Sequence, residues 1–123
     1  MTQKHYVTWD EVEGFIKDVI KRYEYAGITG VYGIPRGGII LATLISYKMK
    51  IPMLMAPTKG CIIVDDISDT GETLIHYVRN TSGGGENKGY HIVTMYYRNG
   101  SMVVPEYYKY TKEGKWIVFP WEE

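Results

Sequence analysis

Cys61 to Leu74 reads CIIVDDISDTGETL, and this stretch decides the fold. Cys61, Ile62, Ile63 and Val64 make a continuous apolar run of the kind a strand carries when both its faces are buried. The run stops at Asp65-Asp66, and Asp69-Thr70-Gly71-Glu72-Thr73 follows closely behind. A helix is expected from Thr70 to Asn80. Buried strand, polar turn and helix in that order are the repeating unit of an α/β protein.

The flanking segments fit the same plan. Upstream, Thr8 and Glu11 have the spacing of a capping box, and Val7 and Val12 that of a hydrophobic staple. Val12, Phe15, Ile16, Val19, Ile20 and Tyr23 then recur at helical spacing, so a helix covering a sheet is expected until Ala26-Gly27. Gly30 to Ile34 reads as a strand, Pro35 to Gly38 as a tight turn, and Ile39 to Lys50 as a helix apolar around most of its circumference. Such a helix is buried between layers. Downstream, Thr81 to Gly89 is a polar linker, Tyr90 to Tyr97 a strand, and Tyr107–Tyr110 and Lys115–Phe119 shorter strands. In Tyr96-Tyr97 and Tyr107-Tyr108 one ring of each pair should point inward and one outward. The outward rings would suit a dimer surface. Together these elements predict a single domain over 1–123 with an open, mainly parallel sheet flanked by helices, and a small C-terminal segment over 98–123.

Composition excludes several classes. Lysine plus arginine (14) equals aspartate plus glutamate (14), so no overall field draws the chain to nucleic acid or an anionic membrane. The sequence has no apolar run of roughly 18 residues, and no charged-then-apolar leader follows Met1, so neither a membrane span nor secretion is expected. Cys61 is alone, cannot form an internal disulfide, and suits a reducing cytoplasm as a small core residue. His5, His76 and His91 lack metal-ligand spacing.

Chemistry concentrates where the sequence opened. Ligands of open α/β sheets bind beyond the carboxyl ends of the strands, where Asp65 and Asp66 are expected. Adjacent carboxylates repel unless a cation or a diol lies between them, and a ribose or a magnesium ion meets that need. Thr70-Gly71-Glu72-Thr73 at a helix start offers free N–H groups, two hydroxyls and a glycine for close approach, which together cradle a phosphate. An Asp-Asp pair in a loop is ordinarily solvated, and a threonine before a helix ordinarily caps it. Joined at this spacing behind a buried strand, they describe a ribose 5-phosphate site instead. No Walker loop or dinucleotide fingerprint is present.

CIIVDDISDTGETL resembles the phosphoribosyl-pyrophosphate motif of type I phosphoribosyltransferases. GIPRGG ahead of an apolar helix resembles their pyrophosphate loop, and WIVFPWEE the ending of the xanthine/guanine purine branch. The resemblance implies transfer of a 5-phosphoribosyl group from phosphoribosyl pyrophosphate to a 6-oxopurine with Mg2+; a homodimer is expected besides. Asp65 and Asp66 would hold the ribose hydroxyls, with Asp66 also near the metal. Asp69 would exchange a proton with the base, and Thr70, Gly71, Glu72 and Thr73 would hold the 5-phosphate. Arg36 and Gly37 would contact pyrophosphate, with the peptide between them cis. Trp116 would stack on the base, Ile117 would offer its backbone, and Arg98 would stand where the purine branch has a lysine. On its own residue type, Trp116 serves equally as an anchor of the tail in the core.

One stretch departs from the family pattern. A long mobile lid usually precedes the phosphoribosyl strand, whereas only Pro57 to Gly60 separate Ile51–Ala56 from Cys61. Parallel neighbours need a crossover of about a dozen residues. Ile51–Ala56 is therefore antiparallel, a short edge piece, or not a strand, with the last two favoured. Without a lid a second function arises, that of a non-catalytic nucleotide or phosphoribosyl-pyrophosphate binder.

Overall fold

A four-stranded parallel sheet in the order β2-β3-β4-β5 carries the fold, formed by β2 (Val31–Gly33), β3 (Ile62–Ser68), β4 (His91–Tyr97) and β5 (Tyr107–Thr111). The computed structural model describes residues 3–79 and 89–122; the linker expected over 81–89 lies, up to residue 88, outside them. A two-stranded parallel sheet joins β1 (Lys4–Tyr6) to β6 (Trp116–Val118), and a tight helical turn, Pro120–Glu122, follows.

Helix α1 (Trp9–Tyr23) starts as the sequence dictates. Thr8 and Glu11 form a reciprocal capping box, and Val12, Phe15, Ile16, Val19 and Tyr23 are buried. Each large apolar side chain so buried contributes about 1.5–3 kcal/mol. Helix α2 (Gly37–Met49) packs Leu41, Ala42 and Ile45 into the same core, and Lys50 in the left-handed conformation ends it. Helix α3 (Glu72–Arg79) opens two residues later than the sequence suggests. Gly71 at φ 88° cannot join a right-handed helix, so Thr70 and Gly71 remain in the loop. Among the described residues, no helix is long and apolar enough to cross a membrane.

Three expectations change. First, β3 does not end at Val64 but runs on to Ser68, because β4 keeps pairing with it through Ser68 and Tyr97. Its other neighbour stops earlier, at Gly33 opposite Val64. Asp65 and Asp66 thus lie where β3 outruns β2, with one edge of the strand freed. Second, Tyr96 and Tyr97 are both buried, since β4 is central and covered on both faces. Tyr96 packs on Tyr110 and Tyr97 on Tyr108, so neither ring of that pair supplies a dimer surface. Third, the cis peptide is Pro35–Arg36, not Arg36–Gly37.

Ile51–Ala56 is a short edge piece. Met53 makes an isolated parallel bridge to Val31, at the start of β2. The chain then needs only to pass beneath Thr29, whose amide donates to the Gly60 carbonyl at 3.0 Å and whose hydroxyl donates to that of Lys59, also at 3.0 Å. Leu54 fills the space beside Gly30 where any side chain would collide with it. A crossover this short works because the bridge sits at the amino end of β2, next to where β3 begins.

Candidate active site

The freed edge of β3 faces the amino end of α2, and glycine permits the approach. A Cβ on Gly37 would run into the Asp66 carboxylate, and one on Gly38 into the Val64 carbonyl. Arg36, Gly37 and Ile40 therefore line one wall of a cavity of about 620 Å³, with Asp65 and Asp66 opposite and Trp121 and Glu122 closing it. A second cavity of about 230 Å³ runs along Asp65 to Gly71 with Thr73 and Leu74. Asp65 and Asp66 border both cavities, which places the carboxylate pair at their junction.

The pair is electrostatically loaded. Asp65 is 8% exposed, and burial with the neighbouring Asp66 charge pushes its carboxyl up to about 9. Burial also raises Asp66, with Glu122 adding to the rise. The amide of Asp66 donates to Oδ1 of Asp65 at 2.8 Å and holds the pair in register. A ligand offering hydroxyls or a cation relieves this repulsion. Among the described residues, no group of three histidines, cysteines or carboxylates is arranged to hold a metal. That donor set still fits magnesium, which is held by one or two carboxylates together with substrate phosphates rather than by an all-protein cage.

The Thr70–Thr73 turn, which the sequence suggests as a phosphate cradle, is built by the loop before α3. Glu72 donates its amide to Oγ1 of Thr70 at 3.2 Å and keeps its own side chain exposed outside the cavity, while Thr73 lines it. Gly71 is required twice: φ is 88°, and a Cβ would strike Ser101 and the amides of Met102 and Val103. The 98–104 loop docks under the cradle, with the Met102 amide donating to the Thr70 carbonyl at 2.8 Å.

Asp69 stands at the rim, where Arg98 meets one oxygen at 3.4 Å and Lys112 the other at 3.5 Å. Trp116 is 59% exposed, so it is not a core anchor, and Nζ of Lys112 lies 5.9 Å from its ring centroid. Trp121 instead does the packing, stacked on Phe119 and tilted against Trp9. Ile117 pairs with His5 in the small sheet. The structure thus gathers Arg36, Gly37, Asp65 and Asp66 on one cavity, Asp66 to Gly71 and Thr73 on the next, and Asp69, Arg98 and Trp116 at the rim. Sequence reasoning missed Lys112, Trp121 and Glu122. The last two lie inside the WIVFPWEE ending and could have been read from it, whereas nothing local marks Lys112.

A parallel sheet whose carboxyl end carries an acidic pair between an arginine-glycine turn and a threonine-glycine cradle defines a phosphoribosyl-binding enzyme. The chain belongs to the phosphoribosyl transferase domain family, whose model matches residues 54–123. It is therefore a pentosyltransferase by class. It is 25% identical to the xanthine-guanine phosphoribosyltransferase of Chromohalobacter salexigens, over 98% of this chain and 85% of that protein. Among solved structures, the purine phosphoribosyltransferase of Pyrococcus horikoshii superposes with a TM-score of 0.85 at 29% identity, covering 98% of this chain and 95% of that one. The Helicobacter pylori xanthine-guanine-hypoxanthine phosphoribosyltransferase shares the fold, with a TM-score of 0.77 at 17% identity over 98% and 94%.

Proposed function

We propose that the chain transfers the 5-phosphoribosyl group of phosphoribosyl pyrophosphate to a 6-oxopurine and releases pyrophosphate. The observation that carries this reading is the pair of cavities meeting at Asp65 and Asp66. The cradle of Thr70, Gly71, Glu72 and Thr73 takes the 5-phosphate, Asp65 and Asp66 the ribose hydroxyls, and Arg36 with the Gly37 backbone the pyrophosphate. The bond from the anomeric carbon to pyrophosphate breaks as the bond to a ring nitrogen of the base forms, and Asp69 takes the proton the base releases. Trp116, Ile117 and Arg98 frame the base. Asp66 would hold magnesium together with the pyrophosphate oxygens, and the ion would neutralise charge on the leaving group. We also propose a homodimer, supported by Ile39 and Tyr47, exposed on α2, and by Met53, exposed on the edge piece beside it.

A second reading is favoured by the course of residues 54–60. That connection passes beneath the amino end of β2, opposite the rim that bears Asp69. It offers the site no cover against water, which would trap a cationic ribose. The alternative is a regulatory binder of nucleotides or phosphoribosyl pyrophosphate. Incubation with phosphoribosyl pyrophosphate, magnesium and each of guanine, xanthine, hypoxanthine and adenine decides between them. Nucleotide formation is expected. No turnover with any base, alongside measurable binding of guanosine monophosphate, would establish the binder.

A further inference from the structure

We infer that Lys112 is the cation that reads position 6 of the base, and that it selects a 6-oxo over a 6-amino purine. This rests on the phosphoribosyl-transfer reading above and deepens it. The amide of Lys112 donates to the Tyr97 carbonyl at 2.9 Å, one residue beyond the last residue of β5, Thr111. The residue is thereby fixed at the carboxyl rim of the sheet, where Asp65 to Asp69 also emerge. A turn through Gly114, at φ 74°, brings the chain back so that Trp116 lies beside it.

Two cations meet Asp69, and they are not equivalent. Arg98 reaches Oδ1 with its side chain 55% exposed. Lys112 reaches Oδ2 with its side chain only 19% exposed, and among the described residues it alone of the two stands over the Trp116 ring. A base stacked on the exposed indole therefore lies next to Nζ of Lys112 and Oδ2 of Asp69, a donor and an acceptor 3.5 Å apart.

A purine carries N7 and its 6-substituent on one edge. With N7 protonated and a carbonyl at C6, that edge presents a donor beside an acceptor, the complement of Asp69 and Lys112. An amino group at C6 presents N–H bonds to an ammonium that has no acceptor capacity. The ammonium then keeps Asp69 but meets N–H groups instead of an acceptor on the base, which is how polar sites reject near-isosteres. In this arrangement Arg98 holds the far oxygen of Asp69 and contributes alike to either base class.

The test compares wild type, Lys112→Met, Lys112→Arg and Arg98→Met. For each, kcat/KM is measured with hypoxanthine and adenine, and Kd with inosine and adenosine monophosphates by calorimetry. Lys112→Met should cut the hypoxanthine-over-adenine ratio about ten- to a hundredfold, Lys112→Arg should restore part of it, and Arg98→Met should lower both bases alike. Equal losses for both bases in Lys112→Met, or collapse of the ratio in Arg98→Met, would overturn the inference. So would a wild-type protein that uses adenine as well as hypoxanthine, which leaves the transferase reading intact. Should wild type turn over no base, the inosine-to-adenosine Kd ratio carries the same comparison, and binding of neither nucleotide overturns both readings.

Discussion

The amide of Asp66 donates to Oδ1 of Asp65, so two carboxyls that repel one another are held as neighbours by their own backbone. The arrangement stores destabilisation that protonation or a ligand relieves, a pattern common where a site is built ahead of its substrate.

The first expected outcome concerns pH. Burial and the neighbouring Asp66 charge push the folded carboxyl of Asp65 up to about 9, from the ordinary value of 3.8. Above 3.8 the unfolded chain ionises while the folded state resists. The cost to folding therefore grows as pH rises from about 4 towards 9 and is absent below that window. Asp65→Asn keeps the acceptor for the Asp66 amide and removes the charge. It should stabilise the ligand-free protein by about 1–3 kcal/mol at pH 7 and flatten the pH dependence of stability, measured by urea unfolding from pH 4 to 9. A less stable variant would refute the stored repulsion.

Magnesium should act with the substrate rather than before it. With no described cluster of three protein ligands, the ion alone should barely move the melting temperature. Magnesium with phosphoribosyl pyrophosphate at about a hundred times its Kd should stabilise by about 2.7 kcal/mol. Equal shifts with and without the phosphate ligand would contradict the proposed Asp66 site.

Gly37→Ala and Gly71→Ala test the two close approaches. The first pushes a methyl into Asp66, and the second meets both a positive φ and the 98–104 loop. Each should cost about 2–4 kcal/mol of stability and at least a hundredfold in kcat/KM. Near-native kinetics in either variant would mean that the loop has room to yield.

Trp116→Ala separates stacking from scaffolding. Because the ring is 59% exposed, stability should change by less than about 0.5 kcal/mol. The KM for the base should rise about five- to a hundredfold, as stacking is worth about 1–3 kcal/mol, while the KM for phosphoribosyl pyrophosphate changes little. A rise confined to the latter would move the base elsewhere.

What the chain reveals before folding follows from how local its signals are. Thr8 and Glu11 announce α1 because a capping box is a contact within one turn, and the Asp65-to-Thr73 chemistry is legible because it is continuous in sequence. The reach of β3 to Ser68 was hidden, since it depends on which neighbour persists alongside it: β4, not β2. Lys4–Tyr6 carries no pattern of its own and is a strand only because Trp116–Val118 pairs with it. Lys112 likewise looks like any surface lysine until Asp69 and Trp116 are brought to it from separate elements.

That pairing of Lys4–Tyr6 with Trp116–Val118 also joins the two ends of the described chain. Arg36, Gly37, Asp65, Asp66 and the Thr70–Thr73 turn come from the middle of the chain, with β4, the 98–104 loop and the Trp121–Glu122 turn completing their surroundings. The shelf that carries Trp116 needs the earliest and latest described strands to pair. The base end of the site therefore depends on both ends of the described chain being paired, and it should loosen first when Lys4–Tyr6 is removed.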